Sequence, residues 1–172
     1  MGNNPSFYEY GDDYPVETVS WNDCQKFLKA LNSQFPMDGH RFALPTEAQW
    51  EYACRAGATG AFGGDGRLDN MGWYRGNCGG KTHPVAQKQP NAWGLYDMHG
   101  NVWEWCADWY GDYPSGAVTN PAGPASGVLR VVRGGSYWDN AQNCRSAPRY
   151  GGGPNRCCRI IGLRLLALQD AP

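Results

Sequence analysis

RVVRGGSYWDNAQNCRSAPRYGGGPNRCCRIIGLRLLAL, Arg130 to Leu168, is the stretch on which the fold of this chain turns. A β-branched run, Val128–Val132, leads into it, and a second apolar run, Ile160–Leu168, closes it. Short apolar runs bounded by turn residues predict two buried strands. Between them, from Tyr137 to Ile160, the residues follow neither a period of two nor one of 3.6, and they include Gly151–Gly153, Pro148, Pro154 and the adjacent pair Cys157 and Cys158. A long irregular segment held between two core strands is where a fold usually keeps its binding or catalytic groups.

Upstream, PNAWGLYDMHGNVWEWCADWY spans Pro90–Tyr110. Val102, Trp103, Trp105 and Cys106 read as a third buried strand, with Asn101 and Glu104 its polar exceptions beside the Gly100 turn. Two oxygen ligands three residues apart suit Ca²⁺, although a glutamate between tryptophans equally serves as a satisfied hydrogen-bond acceptor. Further back, RFALPTEAQWEYACRAG, Arg41–Gly57, predicts an extended Arg41–Leu44, a break at Pro45, and a helix to about Arg55. Thr46 with Gln49 forms a capping box, and Gly57 suits the left-handed turn that ends a helix. Ser20 with Asp23 predicts a second capping box, opening a helix over about 21–33 whose stripe is Cys24, Phe27, Leu28 and Leu31. Residues 58–90 are rich in glycine, asparagine and aspartate, which predicts loops with short strands near Trp73 and Val85. Residues 1–19 read as polar and turn-rich, with an extended piece at 14–19.

The chain has 172 residues, a length that predicts one domain over 1–172 with a sizeable core. Eight Trp, ten Tyr and 24 Gly suit short strands and loops better than a helix bundle. A net charge of −1 gives no reason to expect nucleic acid or an anionic membrane as partner. No apolar run approaches the length of a membrane span, and nothing resembles a signal peptide. Seven cysteines without CxxC spacing argue for buried free thiols. Exposed Cys157 and Cys158 would be a liability in an oxidising compartment, which favours a reducing, cytoplasmic one.

LPTEAQWEYACRAG, NAWGLYDMHGNVWEWCADWY, RVVRGGSYW and IGLRL stand here in an order and at separations that resemble the formylglycine-generating enzyme, or sulfatase-modifying-factor, domain. The resemblance covers roughly residues 1–168 and implies an α+β, C-type lectin-like fold. Two helices, a small twisted antiparallel sheet and much irregular loop are expected. The family's additional N-terminal portion is missing before the MGNNPS segment, so the first strand of its sheet is expected to be short or absent. The resemblance also implies a structural Ca²⁺ on Asn101 and Glu104. Enzymes of this family oxidise a substrate cysteine with Cu(I) held by two thiolates, five residues apart in the loop after GGS. Counted from Gly134–Ser136 the matching positions here are Asp139 and Cys144, whereas anchoring on CRSAPR leaves Cys144 outside the pair altogether. A carboxylate does not replace a thiolate toward this soft ion, so formylglycine generation is disfavoured. The related iron-dependent sulfoxide synthases need a histidine cluster, whereas His40, His83 and His99 are scattered.

The frame RGGS, AQNCRSA, IGLRL also resembles the C-terminal region of variable proteins from diversity-generating retroelements. In these, asparagine codons of the form AAY are rewritten at their first two bases, which cannot yield Trp, Lys, Glu, Gln or Met. Asp139, Asn140, Pro148, Tyr150, Gly151, Gly152, Gly153, Asn155, Arg156, Cys157, Cys158, Arg159 and Ile160 interrupt the frame here, and all are reachable. Trp138 is not reachable and is assigned to the fixed frame, together with Arg133–Ser136, Arg145–Ala147 and Ile161–Leu165. With Tyr137, the interrupting residues form the expected ligand-binding region, 137–160. The expected function is therefore a non-enzymatic receptor or display protein without a catalytic cofactor, whose partner is a protein or surface ligand. The alternative is a formylglycine-generating-like copper oxidoreductase.

Overall fold

Both capping boxes form, and they set the two long helices. The computed structural model describes residues 3–169. Helix α1 spans Trp21–Gln34, with the Ser20 hydroxyl accepting from the Asp23 N–H and the Asp23 carboxylate accepting from the Ser20 N–H. It buries Cys24 and Leu28. Helix α2 spans Glu47–Arg55 under the reciprocal Thr46 and Gln49 bonds, and buries Trp50 and Cys54. Its left-handed turn begins at Ala56 (φ 44°), one residue ahead of Gly57. A third, four-residue helix, α3, occupies Leu68–Met71. No strand forms at Trp73 or Val85: those segments meet instead through ring stacking of Trp73 on His83, at 3.8 Å.

Six strands follow or flank these helices: β1 His40–Ala43, β2 Trp103–Trp109, β3 Arg130–Arg133, β4 Arg149–Gly152, β5 Ile161–Gly162 and β6 Leu166–Gln169. They form a four-stranded sheet in the order β4-β3-β2-β5 and a separate ribbon of β1 with β6. β3 runs antiparallel to β2 and β4, whereas β5 is parallel to β2, so the larger sheet is mixed rather than wholly antiparallel. Before α1, among the described residues, only Glu17 makes a bridge, to Gly162.

The two terminal runs of the deciding stretch are shorter than expected. Val128 is exposed, and pairing starts at Arg130. Ile160–Leu168 is not one strand, because Arg164 turns inward to pair with Glu104 and splits it into β5 and β6.

Strand β2 is covered on both faces, which explains a sequence without alternation. Trp103 and Trp105 join Val132, Ile161, Leu44, Val19, Cys24 and Leu28 on the α1 side, while Cys106 joins Val131, Trp50, Cys54 and Met98 on the α2 side. Each of these buried indoles has a partner: Trp105 donates to the Val19 carbonyl (3.0 Å), Trp50 to Glu104 (2.6 Å) and Trp103 to Asp139 (2.8 Å). Full burial of one such ring contributes about 2–3 kcal/mol. Among the described residues no helix is long and apolar enough to cross a membrane.

Candidate ligand-binding face

The face is built on β3 and β4. Arg133 and Arg149 lie opposite each other in register, an arrangement that like charges would oppose without an intervening anion. Glu47, the first residue of α2, supplies it. Its carboxylate accepts from Arg133 (3.1 Å), from Arg149 (2.5 and 2.8 Å) and from the Tyr113 hydroxyl (3.1 Å). Arg133 is fully buried, and it also binds Glu51 and donates to the carbonyls of Ser146 (2.7 Å) and Ala147 (2.8 Å). The frame thus clamps the backbone on which the face is hung.

After β3, Gly134 and Gly135 take positive φ of 99° and 75°, and the chain turns sharply into Ser136. A Cβ at Gly135 would come within 2.6 Å of the Cys144 sulfur, so that site has no room for a side chain. The loop then closes on Asp139. Its carboxylate accepts from the Ser136 hydroxyl, from Trp103 Nε1 (2.8 Å) and from Asn143 Nδ2 (3.2 Å). Asp139 is therefore committed to holding the loop, and its expected role as a contact residue is corrected. Tyr137 is corrected likewise: only 1% exposed, it packs its ring on Tyr8 at 5.6 Å. Gly152 is the third correction, since it is buried and a Cβ there would lie 2.5 Å from Cη2 of Trp105.

The other positions of the expected region reach the surface. Asn140, Tyr150, Asn155, Arg156, Cys157 and Arg159 are exposed, while Pro148, Gly151, Gly153, Cys158 and Ile160 are half-buried. Tyr150 stands over Trp103, with ring centroids 6.3 Å apart. The 153–160 loop leans on the start of α1, where Asn22 donates to Asn155 (2.5 Å) and to the Pro154 carbonyl (3.1 Å). Trp138, assigned to the fixed frame, is 57% exposed beside Arg159. Sequence reasoning also missed Phe7, which lies against the same guanidinium. The aromatic residues at 7, 8, 10 and 14 were the available signal.

The thiols are poorly placed for copper. Cys144 is buried, and desolvation, with the Asp139 charge adding to it, pushes its thiol up to about 12. Cys54 is pushed up to about 12 by burial as well. Its sulfur lies 3.7 Å from His99 Nε2, but that nitrogen accepts from the Gly63 N–H (2.9 Å), and Nδ1 donates to the Cys144 carbonyl (2.8 Å). Burial lowers the pKa of His99, so the ring is a neutral structural group joining three loops. Asp139, next to the Cys144 loop, offers Cu(I) only a hard oxygen.

Asn101, half of the expected cation pair, is bonded within the protein. It sits at positive φ (60°), and its amide forms a closed pair with His83, accepting from the backbone N–H (3.1 Å) and donating to the carbonyl (3.0 Å). Glu104 is held by Trp50 and by both donors of Arg164 (2.7 and 2.8 Å). Among the described residues, the carboxylate oxygen buried without a hydrogen-bond partner is Oδ1 of Asp97. Burial raises the Asp97 pKa against the Ala86 N–H bond and the Arg164 charge, and the charge of Glu104 adds to the rise.

The profile of the sulfatase-modifying factor enzyme 1-like domain matches residues 2–168. The formylglycine-generating enzyme of Streptomyces coelicolor is 34% identical over 174 residues, covering 88% of this chain and 52% of the relative. That of Mus musculus is 36% identical over 174 residues, with 90% and 44% covered. The chain thus spans about half the length of these curated relatives. Among solved structures, Treponema denticola variable protein 1 superimposes with a TM-score of 0.91 at 33% identity, covering 99% of this chain and 79% of that one. PvdO from Pseudomonas aeruginosa gives 0.78 at 30% identity, covering 92% and 63%. The α+β architecture is the C-type lectin-like fold of the formylglycine-generating-enzyme type that the motifs implied. With this match over nearly its whole length, the chain belongs to the sulfatase-modifying factor enzyme 1-like domain family.

Proposed function

We propose that this chain is a non-enzymatic ligand-binding protein whose 137–160 region is varied by retroelement-type diversification, so that its specificity changes while its fold does not. The observation that carries this reading is the segregation of side chains along one segment. Frame residues Arg133, Ser136, Ser146 and Ile161 are buried and the interrupting Asn140, Tyr150, Arg156, Cys157 and Arg159 are exposed, while Trp138, Arg145, Ala147 and Leu165 of the frame reach the surface and the interrupting Gly152 does not. The likeness to Treponema denticola variable protein 1 supports it. A mixture of tyrosine, arginine, asparagine and glycine has the composition of a paratope, where rigid rings anchor and small polar groups adapt. Tyr150→Ala or Arg159→Ala should weaken the partner complex by more than about 1 kcal/mol, as hot-spot truncations do. Melting temperatures should stay at the parent value, because both side chains are exposed. A large drop in melting temperature would make them core residues and remove the site. A mutated near-repeat of the 3′ coding sequence beside a reverse-transcriptase gene is the genetic counterpart.

The competing reading, a copper oxidoreductase, draws on the formylglycine-generating enzymes among the relatives. Anaerobic Cu(I) titration of the reduced chain, with Cys144→Ser beside it, separates the two. Stoichiometric tight binding lost in the variant would bring the oxidase forward. The expected result is no such site, since Cys144 is buried as a thiol and faces a carboxylate at Asp139.

A structural Ca²⁺ on Asn101 and Glu104 is a separate reading that draws on the family resemblance; both side chains are bonded within the protein, and beside Glu104 the carboxylate oxygen without a partner is Oδ1 of Asp97. Hard carboxylate oxygens suit the ion, and it would hold these two side chains together without chemistry at the binding face. Ca²⁺ should raise the melting temperature of the EDTA-treated chain, and Glu104→Ala should abolish the rise. Identical melts in Ca²⁺ and EDTA would dispose of the idea.

A further inference from the structure

The segment Asn3–Tyr14 forms neither helix nor strand, yet its rings make one train. Phe7 meets Tyr8 edge-on at 5.0 Å, Tyr8 meets Tyr10 at 5.7 Å, and Tyr10 meets Tyr14 at 5.3 Å. Tyr8 ties the train to the body. Its N–H donates to the buried carboxylate of Glu17 (2.8 Å), its hydroxyl donates to the Gly80 carbonyl (3.3 Å), and its ring rests on Tyr137. The anchoring leaves Phe7 62% and Tyr10 58% exposed, and Trp138, 57% exposed, shares the Arg159 guanidinium with Phe7; exposed rings gathered in this way mark interaction sites.

Cations are interleaved with these rings. The Arg159 guanidinium lies 5.3 Å from the Phe7 ring and 5.9 Å from the Trp138 ring, and Lys81 Nζ lies 5.6 Å from the Tyr10 ring. The exposed Arg75 is tied by its backbone N–H to the carbonyl of Asp139, the residue after Trp138 (3.0 Å). Among the described residues, none of Arg75, Lys81 and Arg159 is in an ion pair, whereas Arg55, Arg133, Arg149 and Arg164 all are. Lys81 and Arg159 thus place unpaired positive charge against the exposed rings of Tyr10, Phe7 and Trp138.

We infer that the binding face is composite: Phe7, Tyr10, Lys81, Arg75 and Trp138 form a fixed basic-aromatic half beside the diversified positions, and this half selects a protein partner presenting carboxylates next to apolar side chains. The inference rests on the binding reading above and adds the partner's chemistry. A constant half of this kind gives every variant a baseline contact, to which Tyr150, Arg156 and Arg159 add discrimination. Rings supply buried area at low entropic cost, and cations on ring faces take a carboxylate with little reorganisation. Nucleic acid fits less well. Glu9, Asp12 and Asp13 are exposed on the same segment and would face a continuous phosphate track, whereas discrete carboxylates on a protein can avoid them. The edge-on rings also offer few parallel platforms for bases.

The test is selection of a phage-displayed random peptide library on the full chain, followed by titration of the winning peptides. Winners should carry Asp or Glu beside aromatic or aliphatic residues. Phe7→Ala and Lys81→Glu should each weaken them about tenfold or more while leaving the melting temperature unchanged. Winners without acidic residues would overturn the assigned partner chemistry. Binding that survives both substitutions but is lost in Tyr150→Ala would confine contact to the diversified positions, sinking the composite face and leaving the functional reading intact. Failure of any peptide to enrich would count against both. Tighter binding of oligothymidine or of phosphatidylserine vesicles than of the selected peptides would replace the protein partner by those ligands.

Discussion

Arg133→Met lowers the free energy of unfolding by about 3–5 kcal/mol, the largest effect expected of a single substitution in this chain. The guanidinium is wholly buried and spans Glu47, Glu51 and the carbonyls of Ser146 and Ala147. Glu47 keeps Arg149, and Glu51 keeps Arg55 at 2.8 Å, so neither carboxylate is left wholly unpaired. The damage falls on the carbonyls, which lose their donors inside the protein at about 1–3 kcal/mol each. Arg133→Lys keeps the charge, but its compact ammonium cannot span four acceptors, so it should remain destabilised. Urea unfolding followed by tryptophan fluorescence measures both. A loss under about 1 kcal/mol would place Arg133 among ordinary surface substitutions and undo its role as the clamp of the frame.

Gly152→Ala should be destabilising by about 1–3 kcal/mol, and Gly153→Ala nearly neutral, although the two glycines are neighbours in one triplet. At Gly152 the added carbon meets Trp105 at 2.5 and 2.9 Å, and Trp105, fully buried between β3 and α1, has nowhere to move. At Gly153 nothing lies within 4 Å. Gly151 is intermediate, since its Cβ would meet the Cδ1 tip of Leu129 at 2.9 Å, and that side chain is 39% exposed and free to turn. The same contrast predicts the limits of diversification. A library randomised at 151–153 and sorted for folded chains should keep glycine at 152 and accept many residues at 153. Bulky residues at 152 in well-folded variants would mean that Trp105 is not the wall it is taken to be.

Much of the architecture was legible because it depends on near neighbours in the chain. Ser20 with Asp23 and Thr46 with Gln49 place their helices through bonds spanning three residues. The tryptophan-rich β2 was legible through its apolar content, and the segment between β3 and β5 through its lack of any period. Less legible were the partners. Ile160–Leu168 reads as one strand until Arg164 is seen to turn in toward Glu104, sixty residues away in the chain. Asn101 and Glu104 are read as a ligand pair in the sequence, and only the structure shows His83 and Arg164 bonded to them.

What the sequence determined by itself was the family and its α+β lectin-like fold, through the four motifs that resemble the family, and the places of the helices and of the irregular segment 137–160, because helix caps and turn residues act over a few positions. Only the tertiary structure decided which side chains of that segment face outward. Asp139, Tyr137 and Gly152 look as variable as Tyr150 or Arg159 in the chain. Trp103, Tyr8 and Trp105, all distant in sequence, turn them into structural residues by hydrogen bond and contact. The same distance hid Phe7, because only folding brings Arg159 against its ring and that of Trp138.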